Sequence, residues 1–237
     1  MIALYIFLGI IGIIVLDLLF AFILSLTVRA EEYDKQNKLF LFVYILHVKI
    51  AMFFSNLKIT LKNGDKVDRL KENYLFVGNH RSNYDPFIVN LKLNKGLAFI
   101  SKPENLKIPV FGKMAKRCCC MAIDRENPKN AIKTLNRAAT LIKSGEVSVG
   151  VYPEGKRSKS EEMLEFHDGV FKIAQKAQCP IVVGHISGTE KVHKRAPFLR
   201  THITLDIVEV IMPEEFNGLS SHEISDRVRQ KLEECQS

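Results

Sequence analysis

The feature that most constrains this chain is its first stretch: from Ile2 to Val28 it is apolar except for Asp17, Ser25, Thr27 and a few Gly and Tyr. A run of that length is long enough to cross a bilayer. It has no basic leading region, exceeds a secretory signal in length and is followed by no small-x-small cleavage site, so it is expected to stay on the protein. A second apolar stretch, Leu39 to Phe54, is shorter and is interrupted by His47 and Lys49, and a charged connector, Arg29 to Lys38, lies between the two. Three forms fit: a single anchor helix, a two-helix hairpin that dips into one leaflet with Asp17 and Lys49 directed to the interface or to protein, or, as the least favoured, a buried soluble helix. Lone charges at membrane depth are costly and face protein or water. Residues 1–55 are therefore expected to form a membrane-anchoring segment and residues 56–237 a globular domain. The basic residues of the connector favour the cytoplasmic side of the membrane.

After Ser55 the pattern changes. Strands are expected over Leu57–Lys62, Tyr74–Gly78, Leu97–Ser101, Val147–Tyr152, Ile181–Ile186 and His202–Met212. The run Cys118–Cys120, which continues into Met121-Ala122-Ile123, is expected as a further buried strand carrying reduced thiols. Helices are expected over Asp85–Leu93, Ile108–Arg117, Pro128–Lys143, Gly169–Gln178 and Ser221–Glu234. The third is the clearest, with Asn127 as cap, Pro128 in the first turn, and Ile132, Leu135, Ala139 and Ile142 at helical spacing. Alternating strands and helices predict an α/β fold with a mixed, mostly parallel sheet flanked by helices. The net charge of +8 favours an anionic partner, namely a membrane surface or a phosphorylated substrate. Nucleic acid is not expected, because no recognition motif for it is present. Five Cys, three of them consecutive, have neither the spacing of a zinc site nor sensible disulfide arithmetic, so no metal is expected.

Four blocks stand out, each following a predicted strand, where ligands of open α/β sheets gather. The first, Asn79-His80-Arg81-Ser82-Asn83-Tyr84-Asp85-Pro86, sets an imidazole and a carboxylate five residues apart. On one straight helix the two side chains would diverge by about 140°. They cooperate only if the chain turns between them, and Pro86 disfavours a helical Asp85. The second block is Ile123-Asp124-Arg125. The third is Tyr152-Pro153-Glu154-Gly155-Lys156-Arg157-Ser158, and the fourth is Cys179-Pro180-Ile181-Val182-Val183-Gly184-His185.

Together, in this order, the blocks resemble the signature of the 1-acylglycerol-3-phosphate (lysophosphatidate) acyltransferases. The resemblance covers roughly residues 57 to 212. The first block matches at Asn79, His80, Asp85 and Pro86, the second at Ile123, Asp124 and Arg125, and the third at Pro153, Glu154, Gly155, Arg157 and Ser158. Tyr152 stands for Phe and Lys156 for Thr, while Cys119 stands where the family often has Gly. In the fourth block Pro180 and Ile181 match and Val183 replaces a frequent Pro. The resemblance implies transfer of an acyl group from acyl-coenzyme A or acyl carrier protein to the sn-2 hydroxyl of 1-acyl-glycerol-3-phosphate, giving phosphatidate at the membrane. It implies His80 as general base and Asp85 as its orienting partner. Acceptor binding falls to Arg125 and Arg157, then Lys102 and Lys156, with Glu154 and Gly155 in the same loop. Phe87, Ile88, Val110 and Phe111 are candidates for an acyl slot. No cofactor is implied. The nearest alternative is an acyltransferase acting on another glycerophosphate or lysophospholipid acceptor, left open by Tyr152 and Lys156; the alternative class is a lysophospholipase or thioesterase using the same His with water, although no Gly-x-Ser-x-Gly elbow is present.

Overall fold

The computed structural model describes residues 2–29, 31–93, 96–158, 160 and 162–235. The helices and strands in chain order are α1 (Ile2–Leu26), α2 (Lys38–Phe54), β1 (Leu57–Lys62), α3 (Asp65–Asp68), β2 (Leu75–Gly78), α4 (Asp85–Leu93) and β3 (Ala98–Ser101). There follow α5 (Pro103–Lys107), α6 (Phe111–Arg117), β4 (Met121–Ala122), α7 (Pro128–Lys143), β5 (Val149–Val151), α8 (Lys172–Ala177) and β6 (Ile181–Ser187). The chain ends with α9 (Val192–Arg195), β7 (Thr201–Ile211), α10 (Pro213–Phe216) and α11 (Ser221–Glu233).

The seven strands form one sheet in the order β1-β7-β6-β2-β5-β3-β4. Every neighbouring pair is parallel except β6 and β7. The mixed, mostly parallel sheet expected from the sequence is therefore present. Its central strands are apolar on both faces because both faces are covered. Leu75, Val77, Val149, Val151, Ile181 and Val183 point toward α7, α8 and α11, packing on Ala138, Leu141, Ile173 and Val228. Phe76, Phe99, Val182 and Leu205 point the other way, onto Phe40, Val43 and Val48 of α2, Ile88 and Val89 of α4, and Met114 of α6. The second apolar stretch of the sequence is thus built into the core of the domain.

One local expectation is corrected. The cysteines are not in the strand. Cys118 and Cys119 close α6, their amides bonding back to Met114, Ala115 and Lys116 carbonyls, and only Met121–Ala122 joins the sheet. Cys119 has φ 63°, the left-handed position in which glycine is the unstrained choice. The thiols of Cys118, Cys119 and Cys120 are free, and burial pushes Cys119 and Cys120 up to about 12 and about 11.

At the N-terminus α1 is 25 residues long and carries exposed Ile13, Leu16, Phe20 and Ile23. The expectation that this run can cross a bilayer as a single anchor helix is corrected: among the described residues no helix is long and apolar enough to cross a membrane. The two helices are tied side by side through Asp17, whose Oδ2 lies 2.9 Å from His47 Nε2, while His47 Nδ1 donates to Val43 O at 2.7 Å. Asp17 is thus directed to protein. The connector is strapped to the domain as well: Arg117 lies over the Tyr33 ring at 4.3 Å and Arg137 Nη2 donates to Tyr33 O at 2.6 Å.

Where β2 stops at Gly78, the side chain of Asn79 extends its ladder by one residue. Asn79 Oδ1 accepts from Ile186 N at 2.7 Å and its Nδ2 donates to Ile186 O at 2.9 Å. The main chain is thereby released to turn toward the site. Asn79→Ala leaves two buried backbone groups unpaired and is expected to lower unfolding free energy by about 3 kcal/mol, read from urea denaturation. A loss below about 0.5 kcal/mol would show that water replaces the amide.

Candidate active site

Five neighbouring strands, β6, β2, β5, β3 and β4, run parallel, so the loops after their carboxyl ends share one edge of the sheet. That edge carries a cavity of about 1090 Å³. His80 follows β2, Gly155, Lys156 and Arg157 follow β5, Lys102 follows β3, Arg125 follows β4, and Glu190, His193 and Lys194 follow β6; all of them line it.

His80 and Asp85 meet because the chain turns at Ser82 before α4 begins. His80 Nδ1 lies 2.8 Å from Asp85 Oδ2. The same oxygen accepts the amides of Arg81 and Ser82, each at 2.7 Å, and Asp85 is fully buried. A carboxylate oxygen only accepts, so Nδ1 carries the proton and Nε2 is left as an acceptor, on a residue that lines the cavity. The ring is held from one side by a stack. Tyr152 lies parallel to His80 at 4.3 Å and Phe99 parallel to Tyr152 at 5.7 Å. Phe99 reaches that place because it rests over Gly150, where a Cβ would come within 2.4 Å of the ring.

Glu154 stands behind the cavity wall. Its Oε1 accepts the His80 amide at 2.7 Å and its Oε2 the Leu164 amide at 3.0 Å, so it joins the two loops and meets neither Arg157 nor the open space. Ser158 N adds a second tie, to His80 O at 2.9 Å. Gly155 has φ +68°, with the His167 ring 3.0 Å and Arg125 Nη1 3.3 Å from where a Cβ would stand. Its amide is committed to Tyr152 O at 3.0 Å. Lys102, Arg125, Lys156 and Arg157 are exposed around the opening, which makes one end of the cavity cationic. The other end is apolar: Tyr44, Phe87 and Phe111 enclose it, with ring centroids 5.7 to 6.2 Å apart. Of the residues named from sequence for an acyl slot, Phe87 and Phe111 line the cavity, whereas Ile88 is in the core and Val110 packs behind. Sequence reasoning missed Tyr44, Phe99, His193 and Lys194, which belong to no motif, and treated Tyr152 only as a departure from Phe. Among the described residues no group of three His, Cys, Asp or Glu side chains is placed to hold a metal ion.

A base with an oriented imidazole, a cationic rim and an apolar slot suits proton removal from a hydroxyl on an anionic, lipid-like molecule. Comparison with known proteins agrees. The profile of the acyltransferase family matches residues 58–187. A probable 1-acyl-sn-glycerol-3-phosphate acyltransferase of Mycoplasma genitalium is 30% identical over 196 residues, 77% of this chain and 72% of that protein. The 1-acyl-sn-glycerol-3-phosphate acyltransferase of Escherichia coli is 28% identical over 165 residues, 70% of this chain and 64% of that protein. In fold, the chain is similar to the crystal structure of the 1-acyl-sn-glycerophosphate acyltransferase PlsC of Thermotoga maritima. The TM-score is 0.69 at 24% identity, over 83% of this chain and 78% of that one.

Burial pushes the Glu154 carboxyl above its ordinary 4.5, against the pull of the Leu164 and His80 amides. The folded state then holds this proton more tightly than the unfolded one. The stability it contributes is complete below 4.5 and is lost as pH rises through the folded value. In Glu154→Gln that downward slope above pH 4.5 is expected to vanish while one loop tie is lost, since the two backbone amides bond to different oxygens and the NH2 that replaces one of them cannot accept. Urea melts at stepped pH check this; an unchanged slope would assign it to another group.

Proposed function

This chain belongs to the acyltransferase family, and we propose that it transfers an acyl group from acyl-coenzyme A or acyl carrier protein to the sn-2 hydroxyl of 1-acyl-glycerol-3-phosphate, making phosphatidate. The observation that carries this reading is the His80–Asp85 pair beside a cavity that is cationic at one end and apolar at the other.

In this mechanism His80 Nε2 takes the hydroxyl proton as the oxygen attacks the thioester carbonyl carbon. The tetrahedral intermediate collapses, the carbon–sulfur bond breaks, and the proton passes from Nε2 to the departing thiolate. Asp85 keeps the reactive tautomer and stabilises the imidazolium between the two transfers. Both substrates are present together, and no covalent enzyme intermediate is formed. Arg125 and Arg157 hold the acceptor's phosphate, supported by Lys102 and Lys156, because a guanidinium fork matches phosphate oxygens. Glu154 positions the loops and does not touch substrate. With the Gly155 amide engaged, the amides of Lys156 and Arg157 are assigned to the developing oxyanion. The acyl chain lies along Tyr44, Phe87 and Phe111. The chemistry needs no cofactor. The helices α1 and α2 are read as lying in one leaflet with the cavity on the cytoplasmic face, a reading supported by the apolar exposure of α1 and by the basic residues of the connector.

The test uses detergent-purified protein with 1-acyl-glycerol-3-phosphate and each thioester donor, with products identified by mass spectrometry. Wild type is expected to form phosphatidate, His80→Ala to lose about 10²-fold or more in turnover, and Arg157→Ala to raise the acceptor KM about tenfold. Free fatty acid released without acceptor would overturn acyl transfer in favour of hydrolysis. Gly150→Ala displaces Phe99 and with it Tyr152. It is expected to lower kcat about tenfold at nearly unchanged acceptor KM; full kcat would mean that the ring stack is dispensable.

A further inference from the structure

The segment between β6 and β7 has no part in the proposed chemistry, yet it has a definite composition. After Gly188 come a tight turn over Thr189–Lys191, then α9, then Ala196 to Arg200. Val192 is fully buried and Ala196 packs against the core, which pins the segment. Beyond them Phe198 is 89% and Leu199 60% exposed. Lys191, Lys194, Arg195 and Arg200 are exposed around this pair, with Glu190 the single acidic residue from 190 to 200. Among the described residues Lys194 and Arg195 make no ion pair.

The position of the segment is as informative as its composition. Thr201 N donates to Asn56 O at 3.1 Å, and Arg200 Nε contacts Asn56 Oδ1 at 3.4 Å. Asn56 comes directly after α2, whose last residues Phe53 and Phe54 are 79% and 60% exposed. Two exposed apolar pairs therefore flank this junction in sequence, Phe53 and Phe54 just before Asn56 and Phe198 and Leu199 just before Arg200. On its other side the same segment lines the cavity through Glu190, His193 and Lys194.

We propose that the loop Val192–Arg200 is a second membrane-contacting element, which inserts Phe198 and Leu199 into an anionic phospholipid leaflet and sets Lys194, Arg195 and Arg200 against its headgroups at the cavity mouth. The inference rests on the membrane reading above and extends it to residues far from the N-terminal helices. Exposed apolar side chains ringed by cations match an anionic lipid surface, whose interior takes the rings and whose potential attracts the charges. A protein partner would leave Phe53 and Phe54 unexplained; one leaflet covers both pairs and is continuous with the apolar surface of α1.

The chain contains no Trp, so Phe198→Trp gives a single fluorescent reporter. The full-length protein is reconstituted into phosphatidylcholine vesicles with and without phosphatidylglycerol, and quenching by brominated phosphatidylcholine is measured. Emission is expected to shift to the blue and to be quenched, more strongly with phosphatidylglycerol present. Ile132→Trp, on α7 across the sheet, is expected to stay unquenched. A protein that floats with the vesicles while position 198 remains unquenched overturns this inference alone. Failure to float overturns it together with the membrane reading. A blue shift without quenching, growing with protein concentration, would assign the patch to a second copy and also overturn it. As a second variant, Leu199→Ser with Arg195→Gln is expected to slow turnover of acceptor held in bilayers severalfold and to leave a monomeric short-chain acceptor unaffected. Equal slowing of both would reject the role.

Discussion

A single carboxylate oxygen organises the site. Asp85 Oδ2 receives the Arg81 amide, the Ser82 amide and His80 Nδ1, and it does so with the side chain fully out of water. A buried carboxylate is costly unless such donors surround it. The donors come from the turn between His80 and α4, so the charge and the backbone path define one another. The turn fixes the tautomer of the imidazole, and the imidazole in turn satisfies the charge. Glu154 repeats the device one strand away, binding the His80 and Leu164 amides. Two buried acidic groups therefore lock the His80 loop and its neighbour while neither lines the cavity.

The parallel run of strands explains why residues so far apart in sequence come together. Five adjacent strands pointing the same way deliver five loops to one edge, and each loop contributes at least one cavity residue. The antiparallel pairing of β6 with β7 ends that run, because β7 carries the chain back toward the far edge while its first six residues pair with β1.

Much of this was legible in the residues. The span of β1 and the spans of α4 and α7 were readable from apolar spacing and caps, and the first three blocks lay at strand ends as open sheets require, whereas the fourth runs into strand β6 itself. Other features were hidden because they depend on tertiary partners. Glu154 carries a motif glutamate's chemistry, but which groups its oxygens meet is settled by the loop of Leu164, ten residues on. The stack of Phe99, Tyr152 and His80 joins three separate strands, and no local period announces it. The cysteine run looked like a strand because thiols are apolar; the left-handed turn at Cys119 was signalled only by the glycine that relatives often place there. The two apolar N-terminal stretches were found, but their pairing through Asp17 and His47 follows from how the helices lie against one another.

The burial of α2 has a consequence for how such a protein can be divided. Phe40, Val43, Tyr44, Val48 and Met52 belong to the same core as α4 and α6, and Tyr44 also forms part of the cavity wall. Cutting the chain after the apolar stretches to obtain a freely dissolved catalytic portion would remove one side of the slot along with α1. On the proposed membrane reading, the helices that attach the protein to its surroundings also help set the shape of what it accepts, so a change in that attachment would be felt as a change in selectivity.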